Sequence, residues 1–459
     1  MMKTDLWQGV TALGADDWLN NLWHVASSGV FIAIYIGLLV IILAAVIVHL
    51  MTRDHKPSQV IIHADTRQTR SGGPAEQVEK TEPDPKPQRK KETKPAEEGN
   101  QGRFCKLNRL DEVRNRFVRA SYDEGVTLRQ FCENFRNYAA SRLKLYYSIS
   151  DIRRFVAGMA VSRILILQGM SGTGKTSLAH AFGDFVENTS TVIPVQPMWK
   201  ERTDLVGYYN EFTKRFNETT LLEKMYEANY SKDMYVTVMD EMNIARVEYY
   251  FAEFLSLLEL PNPEERLLTV VSDVWEDDPA QLINGCIKLP PNMWFIGTAN
   301  NDDSTFAISD KVYDRAMIMN LDVKCEPFIA PRTGHTHISA AQFERMAAEA
   351  MREYEITARN LARLEALDAY LIEHFHITFG NRIMKQIRSY IPVYVACGGD
   401  ELEALDDILA KKVLRKLEMQ NPIYLRTASA GLCAYLDELF GEERMPLCKD
   451  FMARLQRTI

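Results

Sequence analysis

The stretch that most constrains this chain is Arg163 to Leu178, RILILQGMSGTGKTSL, where a short apolar run leads into a glycine-rich loop and then into a helical pattern. Gly169, Gly174, Lys175 and Thr176 fit G-x-x-x-x-G-K-[ST], and Gly172 adds a further flexible position inside the loop. Glycine is needed there because backbone N–H groups that turn inward around a phosphate adopt conformations that a Cβ obstructs. In such a loop Gly169, Ser171, Gly172, Thr173, Gly174 and Ser177 form the cradle, Lys175 reaches the β- and γ-phosphates, and the Thr176 hydroxyl ligates Mg²⁺ at the positive end of the following helix. The flanks agree. Ile164 to Leu167 read as a buried parallel strand, and Leu178, Phe182, Phe185 and Val186 recur at helical spacing. The expected fold class is therefore α/β, a parallel sheet flanked by helices.

At 459 residues the chain has room for roughly two or three domains. A net charge of −8 offers no global basic field to a nucleic acid, although a local patch stays open. The seven cysteines are scattered without a C-x-x-C or a nearby histidine pattern, so they read as reduced thiols rather than a zinc site or disulfide framework.

Val25 to Val48 is uncharged and strongly apolar, and as a helix would be about 36 Å long, enough to span a bilayer core with some tilt. Trp18 and Trp23 precede it; Arg53, Lys56, Arg67 and Arg70 follow it. By the positive-inside rule residues 1–24 are extracytoplasmic, 25–50 form a single transmembrane helix in the plasma or inner membrane, and the rest is cytoplasmic. A cleavable signal peptide fits poorly, because the run starts late, is long, lacks a basic leader and has no small-x-small site after it. Residues 51–103, rich in Lys, Glu, Pro and Gln, cannot bury enough apolar surface to fold and read as a disordered cytoplasmic linker. Helical periodicity at 104–160 suggests a small helical module, 161–331 a nucleotide-binding core, and 332–459 a helical lid or C-terminal domain.

Within the core, Val192 to Gln196, Met234 to Met239, Met293 to Ala299 and Ala316 to Leu321 read as further strands. The third strand, MYVTVM, runs into Asp240 and Glu241: one carboxylate for the Mg²⁺ shell, the next to orient or deprotonate the attacking water. The fourth ends in Asn300 and Asn301, where a polar tip can hold that water. Arg315 precedes the fifth, and its planar charge suits phosphoryl oxygens, with an ion pair to Asp310 or Asp314 as the plainer alternative. Asn243 reads as a cap for the helix carrying Val247, Tyr250, Phe251, Phe254 and Leu258, with a secondary effect on catalysis. Trp199, Tyr208, Tyr209, Phe212 and Phe216 are interspersed with Lys200, Arg202, Lys214 and Arg215, a pattern that suits buried packing of the aromatics.

In order and spacing, GMSGTGKTS, MDEMN, GTANN and YDRA resemble the AAA+ ATPase superfamily. WKERTDLVGYYNEF, DEMNIARVEYYFAEFL and ITFGNRIMKQI resemble its branch of McrB-type restriction NTPases, dynein-like motors and MoxR-like chaperones, over about Ile152 to Met419. The resemblance implies a P-loop core with a nucleotide-sensing helical lid, Asn300 as sensor 1, Arg315 as an arginine finger, and Arg382 in FGNR as sensor 2, with Arg388 as a second candidate. It also implies a homo-oligomeric ring, a hexamer in the family, using ATP and Mg²⁺, with GTP kept open by the McrB likeness, and for the Trp199 to Phe216 stretch a loop that faces the ring pore and grips a polymer, as the alternative to buried packing. McrB-type proteins carry adjacent arginines where YDRAM has one, and their DNA-reading domain has no counterpart here. The expected function is a membrane-anchored ATP hydrolase that works at subunit interfaces to remodel or gate an unidentified protein partner. The alternatives are an NTP-gated scaffold that recruits an effector, and the NTPase subunit of a restriction-like defence system.

Overall fold

The structure, a computed structural model, describes residues 102–300 and 305–458. The apolar run at 25–50, nearly all of the linker and Asn301 lie outside the described residues; among the described residues no helix is long and apolar enough to cross a membrane.

Among the described residues ten strands occur in chain order: β1 (Ile164–Gly169), β2 (Thr191–Pro194), β3 (Gly207–Asn210), β4 (Arg215–Glu218), β5 (Tyr235–Asp240), β6 (Leu267–Thr269), β7 (Leu282–Ile283), β8 (Cys286–Lys288), β9 (Met293–Asn300) and β10 (Met317–Asn320). Five of them form the central sheet in the order β10-β1-β9-β5-β2, every neighbouring pair parallel. These are the five strands expected from the apolar runs. β3–β4 is an antiparallel hairpin, and β6, β8 and β7 make a small antiparallel sheet.

Side chains alternate across a strand, so each apolar strand serves two cores. Leu165, Leu167, Val236, Val238, Ile296 and Met319 point into one. Ile164, Ile166, Met239 and Phe295 point into the other. The stretch 104–160, expected as one helical module, is shared between these cores. Helix α1 (Cys105–Val113) joins the second core through Leu107, and its first backbone N–H groups, at Cys105, Lys106 and Leu107, donate to the buried Glu218 carboxylate of β4. Helices α2 (Leu128–Tyr138) and α3 (Ile149–Val161) join the first core, where Phe131, Phe135 and Phe155 surround Phe182 of α4 (Lys175–Phe185). Helix α5 (Thr220–Ala228) covers the second core beside α1.

The C-terminal part is helical as expected: α6 (Ala340–Glu353), α7 (Ala358–Phe375), α8 (Gly380–Ala396), α9 (Glu401–Ile408), α10 (Pro422–Phe440) and α11 (Pro446–Thr458). Ser339, Thr357, Asp400 and Asn421 cap four of these starts with their side chains. Leu402, Leu405, Ile408, Leu409, Val413, Leu414 and Leu417 recur at helical spacing, yet the stretch is not one regular helix. α9 ends at Ile408, and a π turn (Leu409–Val413) and a 3₁₀ turn (Leu414–Met419) follow. In these turns Lys411 pairs with Asp407, and the buried Lys412 donates to backbone carbonyls of the core.

Candidate functional site

The carboxyl end of β1 opens into the glycine-rich loop. Gly169, Gly172 and Gly174 have φ of 145°, 76° and 92°, a region side chains avoid. A Cβ on Gly169 would stand 2.5 Å from the Leu321 carbonyl oxygen, whereas one on Gly172 would meet nothing within 4 Å. Tyr147 braces the far end by donating its hydroxyl to the Gly174 carbonyl at 3.1 Å, and burial raises its phenol pKa, which keeps it a donor. Lys175 begins α4 and is buried; its Nζ donates to the Gly169 carbonyl at 3.0 Å and the Met170 carbonyl at 2.7 Å. The Thr173 hydroxyl donates to the Met170 carbonyl at 3.0 Å, Ser171 is exposed on the loop, and Ser177 sits half-buried in the first turn of α4.

At the carboxyl end of β5, two strands from β1, Asp240 Oδ1 accepts from Thr176 Oγ1 at 2.7 Å and from Thr298 Oγ1 at 2.8 Å. A hydroxyl and a carboxylate in contact are the hard oxygen donors that suit Mg²⁺, so Thr176 and Asp240 fit the metal role read from the sequence. Glu241 is exposed and takes a left-handed conformation, φ 53° and ψ 47°. For a non-glycine residue that costs on the order of 1–3 kcal/mol. It is held by its N–H donating to Thr298 Oγ1 at 2.9 Å and its carbonyl accepting from Ile244 N at 2.9 Å.

Asn300 stands directly opposite Gly169 in the β9–β1 register, at the tip between the loop and the acidic pair. Asn243 does not cap the helix after it. That helix, Val247–Tyr250, begins after Arg246, and Asn243 lies in a 3₁₀ turn ahead of it. Its buried amide instead donates to the Asn300 carbonyl at 2.9 Å and the Phe306 carbonyl at 3.3 Å, which ties down the strand tip.

Lys175, Thr176, Asp240, Glu241 and Asn300 therefore meet at the carboxyl ends of the strands. Arg315 and Arg382 do not join them. Arg315 precedes β10, and its carbonyl accepts from Ser162, just before β1. Six residues of β1 at about 3.3 Å each place the loop about 20 Å away, at the opposite ends of the strands. Arg315 donates to Glu259 Oε2 at 2.7 Å and to the Lys311 carbonyl at 2.8 Å, so its ion-pair partner is neither Asp310 nor Asp314. Arg382, on α8, pairs with the same Glu259 carboxylate, and Arg388 is exposed further along that helix. In the aromatic stretch, Phe216 is buried, while Tyr208 and Phe212 are 51% and 99% exposed at and beside the β3–β4 hairpin.

Thr298, Tyr147 and Glu259 were not singled out from sequence. Thr298 carried a usable signal, being the one hydroxyl in the MWFIGTA strand; Glu259 carried none. A cavity of about 1090 Å³ opens beside β1 and β10 against the C-terminal helices, with Gln168, Asn320, Arg154 and Arg454 in its wall. Among the described residues no group of three or more His, Cys, Asp or Glu side chains forms a metal site of its own, and all seven cysteines are free.

Residues 164–316 match the family described as an AAA domain of the dynein-related subfamily, and residues 332–458 match a domain of unknown function. No curated protein matches the chain. One similar solved structure is a candidate ATPase from Cytophaga hutchinsonii, 12% identical, with a TM-score of 0.43, covering 72% of this chain and 94% of that one. The family match spans both the phosphate loop and the Asp240–Glu241 pair, so the chain carries an AAA+ ATPase domain and is an ATP hydrolase.

Proposed function

We propose that this ATPase works as a membrane-anchored ring, hydrolysing ATP where two subunits meet and using the cycle to remodel or gate a partner protein. The observation that supports it best is the position of Arg315, about 20 Å from its own phosphate loop at the other end of β1. A guanidinium so placed serves a phosphate held by a neighbouring copy. Lys175 and the loop bind the β- and γ-phosphates, Glu241 orients the attacking water and accepts its proton, and Asn300 holds that water in line. Thr176 and Asp240 would hold Mg²⁺, which when bound neutralises phosphate charge. Arg382 shares Glu259 with Arg315, so it serves the same subunit boundary. The apolar run Val25 to Val48 supplies the anchor.

The test is complementation. Arg315→Ala should bind ATP yet turn over on the order of 10³-fold more slowly, because a finger acts mainly on the transition state. Mixing it with Lys175→Ala subunits, which keep the arginine but lack a working loop, should restore turnover. Normal turnover of Arg315→Ala alone, or mixed rings without activity, would overturn the reading.

A further inference from the structure

Arg315 lies in a segment that the C-terminal helices hold by its backbone. The helix Asp310–Tyr313 ends in a turn toward β10, and the last carbonyls of so short a helix have no partners within it. Lys412 and Gln386 take carbonyls at its end and in the turn just beyond it. Lys412 Nζ donates to the carbonyls of Tyr313 and Ala316, and Gln386 Nε2 donates to the Asp314 carbonyl at 3.0 Å. Both side chains are nearly out of solvent, at 5% and 9% exposed. The Arg415 guanidinium lies 3.5 Å from the centroid of the Tyr313 ring and pairs with Asp310. Four residues from α8 and the irregular turns after α9, counting Arg382 on Glu259, thus converge around one arginine.

The grip on the backbone contrasts with the hold on the guanidinium. The Arg315–Glu259 pair is partly exposed, with side chains at 23% and 33%, and such pairs contribute little. Arg315 Nε is buried without a hydrogen-bond partner among the described residues. The segment is fixed, while its charged end is lightly tethered and has a donor to spare.

We propose that Lys412 and Gln386 are positioning residues for Arg315: through them the C-terminal helices set where one subunit presents its guanidinium to the site of the next. This rests on the reading that Arg315 acts across the subunit boundary. It gives the domain of unknown function at 332–458 a part in the neighbour's hydrolysis, and a shift of those helices carries the arginine with it.

The experiment uses full-length rings. Lys412→Met keeps the aliphatic stem and removes the donors; Gln386→Leu does the same more mildly. Each should bind ATP and assemble as the wild type does, with kcat lowered at least tenfold and KM little changed. The decisive readout is in mixed rings with Arg315→Ala subunits. Donors carrying Lys175→Ala alone should restore turnover, and donors carrying Lys175→Ala together with Lys412→Met or Gln386→Leu should not. If the double-variant donors restore as much as the single one, the proposal is wrong while the trans reading stands. If Lys175→Ala donors restore nothing, the trans reading fails and takes the proposal with it. Should Lys412→Met not fold, Gln386→Leu decides by the same comparison.

Discussion

The Thr298 hydroxyl donates to Asp240 at 2.8 Å and accepts the backbone N–H of Glu241 at 2.9 Å, so one side chain on β9 sets the positions of two acidic residues that end β5. Thr298→Val keeps the branched shape and removes both bonds. A hydrogen bond to a charged group contributes about 1.5–3 kcal/mol, which corresponds to roughly 10- to 100-fold in rate if it is expressed in the transition state. Turnover should fall by that much, with ATP affinity changing far less, because the phosphate loop is untouched. Phosphate release and equilibrium binding measured on the same preparation check this; unchanged turnover would mean that β5 holds the acidic pair without help.

Lys175→Ala should abolish measurable ATP binding. The amine already lies within the loop, donating to Gly169 and Met170, so its removal takes away the charge that compensates the phosphates. Calorimetric titration of the folded variant is the measurement. Unchanged affinity would remove the loop from the binding site.

How much of this was legible can be traced to the range of each signal. The five core strands were readable because each is an apolar run bounded by turn residues, and the acidic pair because it directly follows one of them. Their order across the sheet was not, since neighbours such as β9 and β1 are distant in sequence. Glu259 was invisible for the same reason: its role exists only because Arg315 and Arg382 converge on it in space. Asn243 was misread because a helix-cap residue and a strand-tip brace look alike when only the spacing to the next apolar residue is known. The split of 104–160 between the two cores follows from Glu218, whose carboxylate holds the start of α1 beside β4.

If the apolar run anchors the chain as proposed, the charge flanking it sets the topology. A thiol from Asp16→Cys should react with an impermeant reagent from outside intact cells, and one from Ser58→Cys should not. The opposite pattern would put the nucleotide-binding core on the side without ATP and contradict the anchor reading.

Gly297 sits at the centre of β9, where an added Cβ would come within 1.9 Å of Met242 Sδ. Met242 is fully buried and follows Glu241 directly, so it has little room to move away. Overpacking of this kind costs about 1–3 kcal/mol, and Gly297→Ala should lower the unfolding midpoint accordingly. Because the displaced side chain adjoins Glu241, turnover should fall as well, measured well below the midpoint. A variant as stable and active as the wild type would show that the strand bends to accommodate the methyl group.

The last prediction concerns Lys412. Burial pushes its amine down to about 7 from the ordinary 10.5, aided by Arg415, Arg382 and Lys416 and opposed by Asp314. In the unfolded chain the amine keeps its proton up to about 10.4. Between about pH 7 and pH 10 the unfolded state therefore holds one proton more than the folded state, and unfolding free energy rises with pH by as much as about 1.4 kcal/mol per unit. Below about pH 7 both states are protonated, and the penalty for burying the charge is complete and constant. Lys412→Met has no such proton, so the wild type should gain stability relative to it between about pH 7 and about pH 9. Urea unfolding of both proteins across that range gives the difference directly. A difference that stays flat would mean that the carbonyls of Tyr313, Asp314 and Ala316 hold the ammonium well enough to outweigh its burial, and that the lysine grips the arginine segment in its charged form throughout.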